Sequence, residues 1–117
     1  MTDEVRLGRI EVSPTAIAGL AATAVLECYG VVGMSSPMLY GDLVDLLQRE
    51  NYRRGVRVRV LDQQIVIELY VVLEYGVRIS EVAHNIMENV KFRVEKALGL
   101  PIEEVNVHVQ GLRVSAK

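Results

Sequence analysis

The sequence predicts an α+β fold: a single-layer mixed, mainly antiparallel β-sheet of four or five strands, with two main helices packed on one face. Three observations predict it. Val56 to Val60 and Ile65 to Tyr75 alternate apolar and polar residues on either side of Asp62-Gln63-Gln64, the pattern of an antiparallel hairpin. Two longer stretches repeat apolar residues at helical spacing, one following Ser13-Pro14 and one ending at Gly99. The chain between Tyr75 and Val105 is long enough to carry a helix and return as a parallel strand.

The elements follow in chain order. Leu7 to Val12 alternates and reads as a short strand. Ser13 is a favoured N-cap, and Pro14 suits the first helical position, where its missing N–H would have no partner in any case. The first helix then runs to about Tyr29, with Ile17, Leu20, Ala21, Ala24 and Cys28 on one face; its alanines and Gly19 allow close approach to a sheet. Gly30 stops it, because glycine adopts the left-handed conformation without a steric penalty. Val31 to Met34 reads as a short strand or an extended turn, broken by Ser35-Ser36-Pro37, Leu39 to Arg49 as a short helix, and Asn51 to Gly55 as a loop.

In the hairpin, Val56, Val58 and Val60 share the core face with Ile65, Ile67, Leu69, Val71 and Leu73. Arg57 and Arg59 then share the opposite face with Glu68, and one of them is expected to meet it across the strands. The second helix runs from Arg78 or Ser80 to Leu98, burying Ile79, Val82, Ala83, Ile86, Val90, Val94 and Ala97. Gly99 stops it and Pro101 prevents its continuation. The last strand spans Val105 to Val114; Val105, Val107 and Val109 point one way, and Asn106, His108 and Gln110 the other. No linker, low-complexity tract or internal repeat interrupts the chain, so residues 1–117 read as one domain.

Composition narrows the function classes. Half of the 117 residues are hydrophobic and 24% are charged, which is enough to bury a core without disulfides or metals. With one Phe and no Trp, that core rests on Val, Ile, Leu and Ala. A formal net charge of −2 lacks the basic excess of a general nucleic-acid binder. The single Cys28 excludes an internal disulfide and a Cys-rich zinc site, and fits a cytoplasmic setting. The polar start, Met1-Thr-Asp-Glu-Val-Arg6, is not a signal peptide, and no apolar run approaches the length of a membrane span. Membrane association would therefore call for a partner protein.

Three ordered stretches carry a family resemblance. They are Gly8-Arg-Ile-Glu-Val-Ser13 with the alanine-rich helix and Glu27-Cys-Tyr-Gly-Val-Val-Gly33; Ile67-Glu-Leu-Tyr-Val-Val-Leu-Glu-Tyr-Gly76 with Ile79-Ser-Glu-Val-Ala83; and Val105-Asn-Val-His-Val-Gln-Gly111. In this set and order the chain resembles the bacterial alkaline shock protein family, also called the envelope stress response family, over about Leu7 to Val114. The resemblance implies a compact α/β domain with no established enzymatic activity and no catalytic motif. It also implies a cytoplasmic, self-associating protein of cell-envelope homeostasis, which in some Gram-positive relatives reaches the membrane through a separate anchor protein.

The residues themselves offer no catalytic, cofactor or metal site, and the chain reads as a non-enzyme. His84 and Glu88 lie four apart on the second helix, but two ligands do not make a site and a solvated helix face explains them. Adjacent Glu103 and Glu104 would point to opposite faces of a strand and cannot act as an acid/base pair. Cys28 sits near a helix C-terminus, where the dipole disfavours a thiolate, and reads as structural. Gly30-Val-Val-Gly33 lacks the pattern of a phosphate loop.

Two surfaces remain. Val66, Tyr70 and Val72 on the outer face of the long strand, and Phe92 on the outer face of the second helix, form the expected interaction surface of a homo-oligomer; a monomer whose Leu39 to Arg49 segment folds over the strand face is the alternative. Arg53, Arg54, Arg57 and Arg59 form the densest basic cluster and support the alternative, an RNA- or anionic-ligand-binding module. Against that alternative, Glu68 and Glu74 offset the strand arginines, and no aromatic stacking platform is interleaved.

Overall fold

The computed structural model describes residues 7–35, 52–53, 55–62 and 64–114. The Ser13 hydroxyl accepts the Ala16 N–H at 3.2 Å and opens helix α1, Pro14–Leu26, with proline in its first turn. Strand β1, Val31–Met34, follows, then the two-residue β2, Tyr52–Arg53, and the hairpin strands β3, Val56–Leu61, and β4, Gln64–Glu74. Helix α2, Ile79–Leu98, leads to β5, Glu104–Arg113. Gly99 caps α2 at φ 75° and donates its N–H to the Glu95 carbonyl at 2.7 Å.

The five strands form one mixed sheet with β4 at its centre. On one side, β5 runs parallel to β4 from Val66↔Glu104 to Glu74↔Arg113. On the other side two antiparallel strands lie end to end: β3 pairs with Gln64 to Leu69, and β1 with Val71 to Leu73. Tyr70 stands at their junction, donating its N–H to the Gly55 carbonyl at 2.8 Å and accepting the Ser35 N–H at 3.1 Å. The parallel return of β5 through α2 agrees with the crossover the sequence predicts.

Both helices contribute to one core. Ile67, Leu69, Val71 and Leu73 of β4 are buried together with Ile17, Ala21 and Val25 of α1 and Ile86, Val90 and Val94 of α2. α1 packs on β3 and β1, whereas α2 packs on β5. The helices are tied to each other where the Asn89 side chain donates to the Ala24 carbonyl at 3.0 Å and Arg93 pairs with Glu27.

Several boundaries differ from the sequence reading. Leu7 to Val12 pairs with no described strand. Alternation supplies a strand-compatible surface, but only a neighbouring edge makes it a strand. α1 ends at Leu26, because the Cys28 N–H turns back to the Val25 carbonyl at 3.0 Å and the chain must enter β1. On α1, Ala18 and Val25 are buried and Leu20 is 38% exposed, so the apolar face is rotated from the expected one. Val60 is also exposed, since it lies beside the hairpin turn, where Leu61 pairs with Gln64 and Asp62 has φ 49°. Ile79 and Ala97 of the expected stripe, one in each end turn of α2, are exposed as well. Tyr52 and Arg53 are strand in place of the expected loop; the Leu39 to Arg49 helix lies outside the described residues.

Candidate interaction surface

The face of the sheet turned away from both helices carries the side chains that the core alternation rejects. Arg57 and Arg59 of β3, Val66, Glu68, Tyr70 and Val72 of β4, and Asn106 and His108 of β5 share it through the strand registers. Val66, Tyr70 and Val72 are half-buried, and no described element covers them.

Glu68 organises this face. One carboxylate oxygen accepts the Arg59 guanidinium at 2.9 Å and the Asn106 amide at 3.2 Å. The other accepts the His108 Nε2–H at 2.6 Å. The His108 ring stacks on Tyr70, with centroids 4.6 Å apart and planes 11° from parallel. Burial pushes the Glu68 carboxyl up, but hydrogen bonds from His108, Arg59 and Asn106 outweigh it and hold the group below the usual carboxylate range. Glu68 is therefore a charged group fixed in a half-dry setting, and the side chains around it take their positions from it.

The expected arginine–glutamate pair is present: Arg57 stands opposite Glu68 in register, and Arg59, two residues on, bonds it. Alternation makes that pair legible. It does not reveal Asn106 and His108, because these reach Glu68 through the parallel register of β5, set by the path of α2. Of the basic cluster, Arg54 and the Arg53 side chain lie outside the described residues, and Arg59 is already bound to Glu68.

Phe92 lies elsewhere. It is 60% exposed on the helical side, with Lys96 Nζ 5.7 Å from its ring centroid. It borders an open groove between α1 and α2 with Leu20, Thr23 and Arg93. The structure thus brings Val66, Tyr70 and Val72 together and leaves Phe92 on the opposite layer.

Cys28 is half-buried, its thiol donating to the Ala24 carbonyl at 3.4 Å with the Asn89 amide 3.6 Å away. Burial pushes this thiol up. Native Cys28 is accordingly expected to react slowly with a thiol reagent near neutral pH and quickly after unfolding; rapid labelling of the folded protein would contradict the structural reading. His84 and Glu88 pair at 3.1 Å on the exposed face of α2, and no cluster of three or more metal-ligating side chains occurs among the described residues. No described helix is long and apolar enough to cross a membrane.

Comparison with known proteins places this architecture. Structures of MamM variants share the fold: one has a TM-score of 0.53 at 19% identity, covering 86% of this chain and 99% of that one. A variant of the MamM CTD gives 0.51 at 20% identity, covering 83% and 95%. In sequence, the chain is 44% identical over 111 residues to the uncharacterized protein YloU of Bacillus subtilis, covering 94% of this chain and 92% of that protein. It is 45% identical over 108 residues to the uncharacterized protein Spy1614 of Streptococcus pyogenes, covering 92% and 89%. The model of the alkaline shock protein 23 family, described as having a cell envelope-related function, matches residues 2–114, and the chain belongs to that family.

Proposed function

We propose that this chain is a non-enzymatic interaction domain that self-associates through the outer face of its sheet and serves its envelope-related role in the cytoplasm, through a separate partner protein that can reach the membrane. The observation that carries the reading is the fixed aromatic platform on that face: Tyr70 stacked on His108, which Glu68 holds at 2.6 Å, between half-buried Val66 and Val72. The outer face of a largely antiparallel sheet is ordinarily polar, yet here β4 presents Val66, Tyr70 and Val72 on the face that no described helix covers. A rigid aromatic between small apolar side chains loses little freedom on binding, which favours a protein interface. A second copy is the simplest cover, because a two-fold contact uses the same face twice.

Light scattering across a concentration series tests this. The wild-type protein is expected to associate, and Tyr70→Glu to weaken association at least about tenfold, since a new carboxylate would face Glu68 in the interface. Phe92→Glu, on the other layer, is expected to leave association unchanged. A wild-type monomer at high micromolar concentration would reject the reading. Salt-sensitive RNA binding in its place would restore the arginine-cluster alternative.

A further inference from the structure

Among the described residues there is an extended arm that joins no sheet and a sheet edge that no strand pairs. Leu7 to Val12 has the alternation of a β-strand, and Arg9 pairs with Glu11 at 3.6 Å, the same-side relation of residues two apart in extended chain. Nevertheless, this arm joins no described ladder, and Leu7 and Ile10 stand 95% and 92% exposed. β5, ten residues long, pairs with β4 on one side and with no described strand on the other. The Tyr70 N–H bonds the Gly55 carbonyl on the β3 side, so Ile67, Leu69 and Val71 turn their backbone groups toward β5, and the parallel register then leaves the N–H groups of Val105, Val107 and Val109 pointing away from β4. No proline interrupts β5, and its described irregularity falls late, opposite Val71 and Val72, leaving a regular edge from Glu104 to Val109.

We propose that the Leu7 to Val12 arm of one copy adds as a further strand to the β5 edge of a second copy. The inference rests on the self-association reading and adds to it a second, separate contact. A second copy is favoured over the arm's own edge by the order of the layers. The arm enters α1, which packs on β3 and β1, and α2 stands between α1 and β5. The edge of another molecule presents no such obstacle. Strand addition satisfies outward backbone groups on β5 and covers apolar side chains of the arm in one step. Because each copy carries both parts, reciprocal exchange closes as a dimer.

The test is Ile10→Pro in the full chain. Proline removes the N–H that a ladder needs, and position 10 is too exposed for the substitution to disturb the core. Ile10→Asp, which keeps the N–H and removes the apolar contact, is the second variant. Light scattering is expected to show association weakened at least about tenfold by Ile10→Pro and by a smaller factor by Ile10→Asp. Amide hydrogen exchange is expected to show protection of the Val105, Val107 and Val109 N–H groups that grows with wild-type concentration and is lost in Ile10→Pro. If Ile10→Pro leaves association and β5 protection unchanged while Tyr70→Glu dissociates the protein, the arm is not the contact and the sheet-face reading stands alone. Concentration-independent protection of the same amides would place the arm on its own edge and also overturn the proposal.

Discussion

Gly55→Ala is expected to cost about 3 kcal/mol or more of folding stability, more than alanine at any other described glycine. Two effects combine. Gly55 has φ +86°, where an L-residue is strained by roughly 1–2 kcal/mol. A Cβ there would also lie 2.8 Å from the Met34 Cβ, 2.9 Å from the Tyr70 carbonyl oxygen and 3.0 Å from the Ser35 carbonyl oxygen. Two of those atoms are backbone and the third is a Cβ, so none can turn aside by a rotamer change. The position is crowded because β1 and β3 meet end to end against β4, and Gly55 and Ser35 both bond the Tyr70 backbone. Gly99→Ala is the internal control. Its φ is +75° and no atom lies within 4 Å of the added Cβ, so it carries the strain without the clash. Urea denaturation of both variants checks the account, with Gly55→Ala well below Gly99→Ala. Equal losses would show that the junction yields, and would remove the reason for glycine there. Because the junction also sets Tyr70, Gly55→Ala should weaken self-association in molecules that remain folded.

That junction marks where sequence reasoning stops. Of the strands meeting there, β3 is legible from the alternation of its valines and arginines, whereas β1 is too short to be told from an extended turn. Their arrangement on a single side of β4 is not legible, since it depends on which half of an eleven-residue strand each one selects. The core face of β4 is legible from Ile65 to Leu73, because a strand with one buried face fixes its own register. α1 is harder. Its face consists largely of alanines, which pack equally well over a broad arc, so Ala18 and Val25 are buried in place of the expected Leu20. Leu7 to Val12 fails as a strand for a different reason: the pattern is present and a partner within the described chain is not. The surface residues follow the same division. Arg59 and Glu68 lie nine residues apart across a tight hairpin and can be paired from alternation alone. His108 lies forty residues from Glu68, beyond a helix whose length sets the register, and nothing local in the sequence shows that they meet.

Glu68→Ala is expected to cost about 1–3 kcal/mol and to loosen the whole outer face. Removal of the carboxylate would leave the Arg59 guanidinium, the Asn106 amide and the His108 Nε2–H without their shared acceptor. Arg59 and His108 side chains are 44% and 43% exposed and can regain water, which keeps the loss below that of a fully buried pair. Glu68→Gln separates charge from shape. Its carbonyl oxygen can still accept from Arg59 and Asn106, but its amide then meets His108 Nε2, which must change tautomer to accept it and gives up the charge-assisted bond. The variant should therefore recover only part of the loss. The pH dependence has a definite sign. The Glu68 carboxyl is held lower in the folded state than in the unfolded chain, so its stabilisation is fully present above its ordinary range near 4.5 and is lost as pH falls through the lower folded value. The stability gap between wild type and Glu68→Gln should accordingly narrow as pH falls below the ordinary carboxylate range. A gap that stays flat into the acid range would mean that the carboxylate charge contributes nothing and that only the shape of the side chain matters. Self-association gives the second readout. If the platform is the contact, Glu68→Ala frees His108, Tyr70 loses its stacked partner, and association should weaken even under conditions where the variant is fully folded.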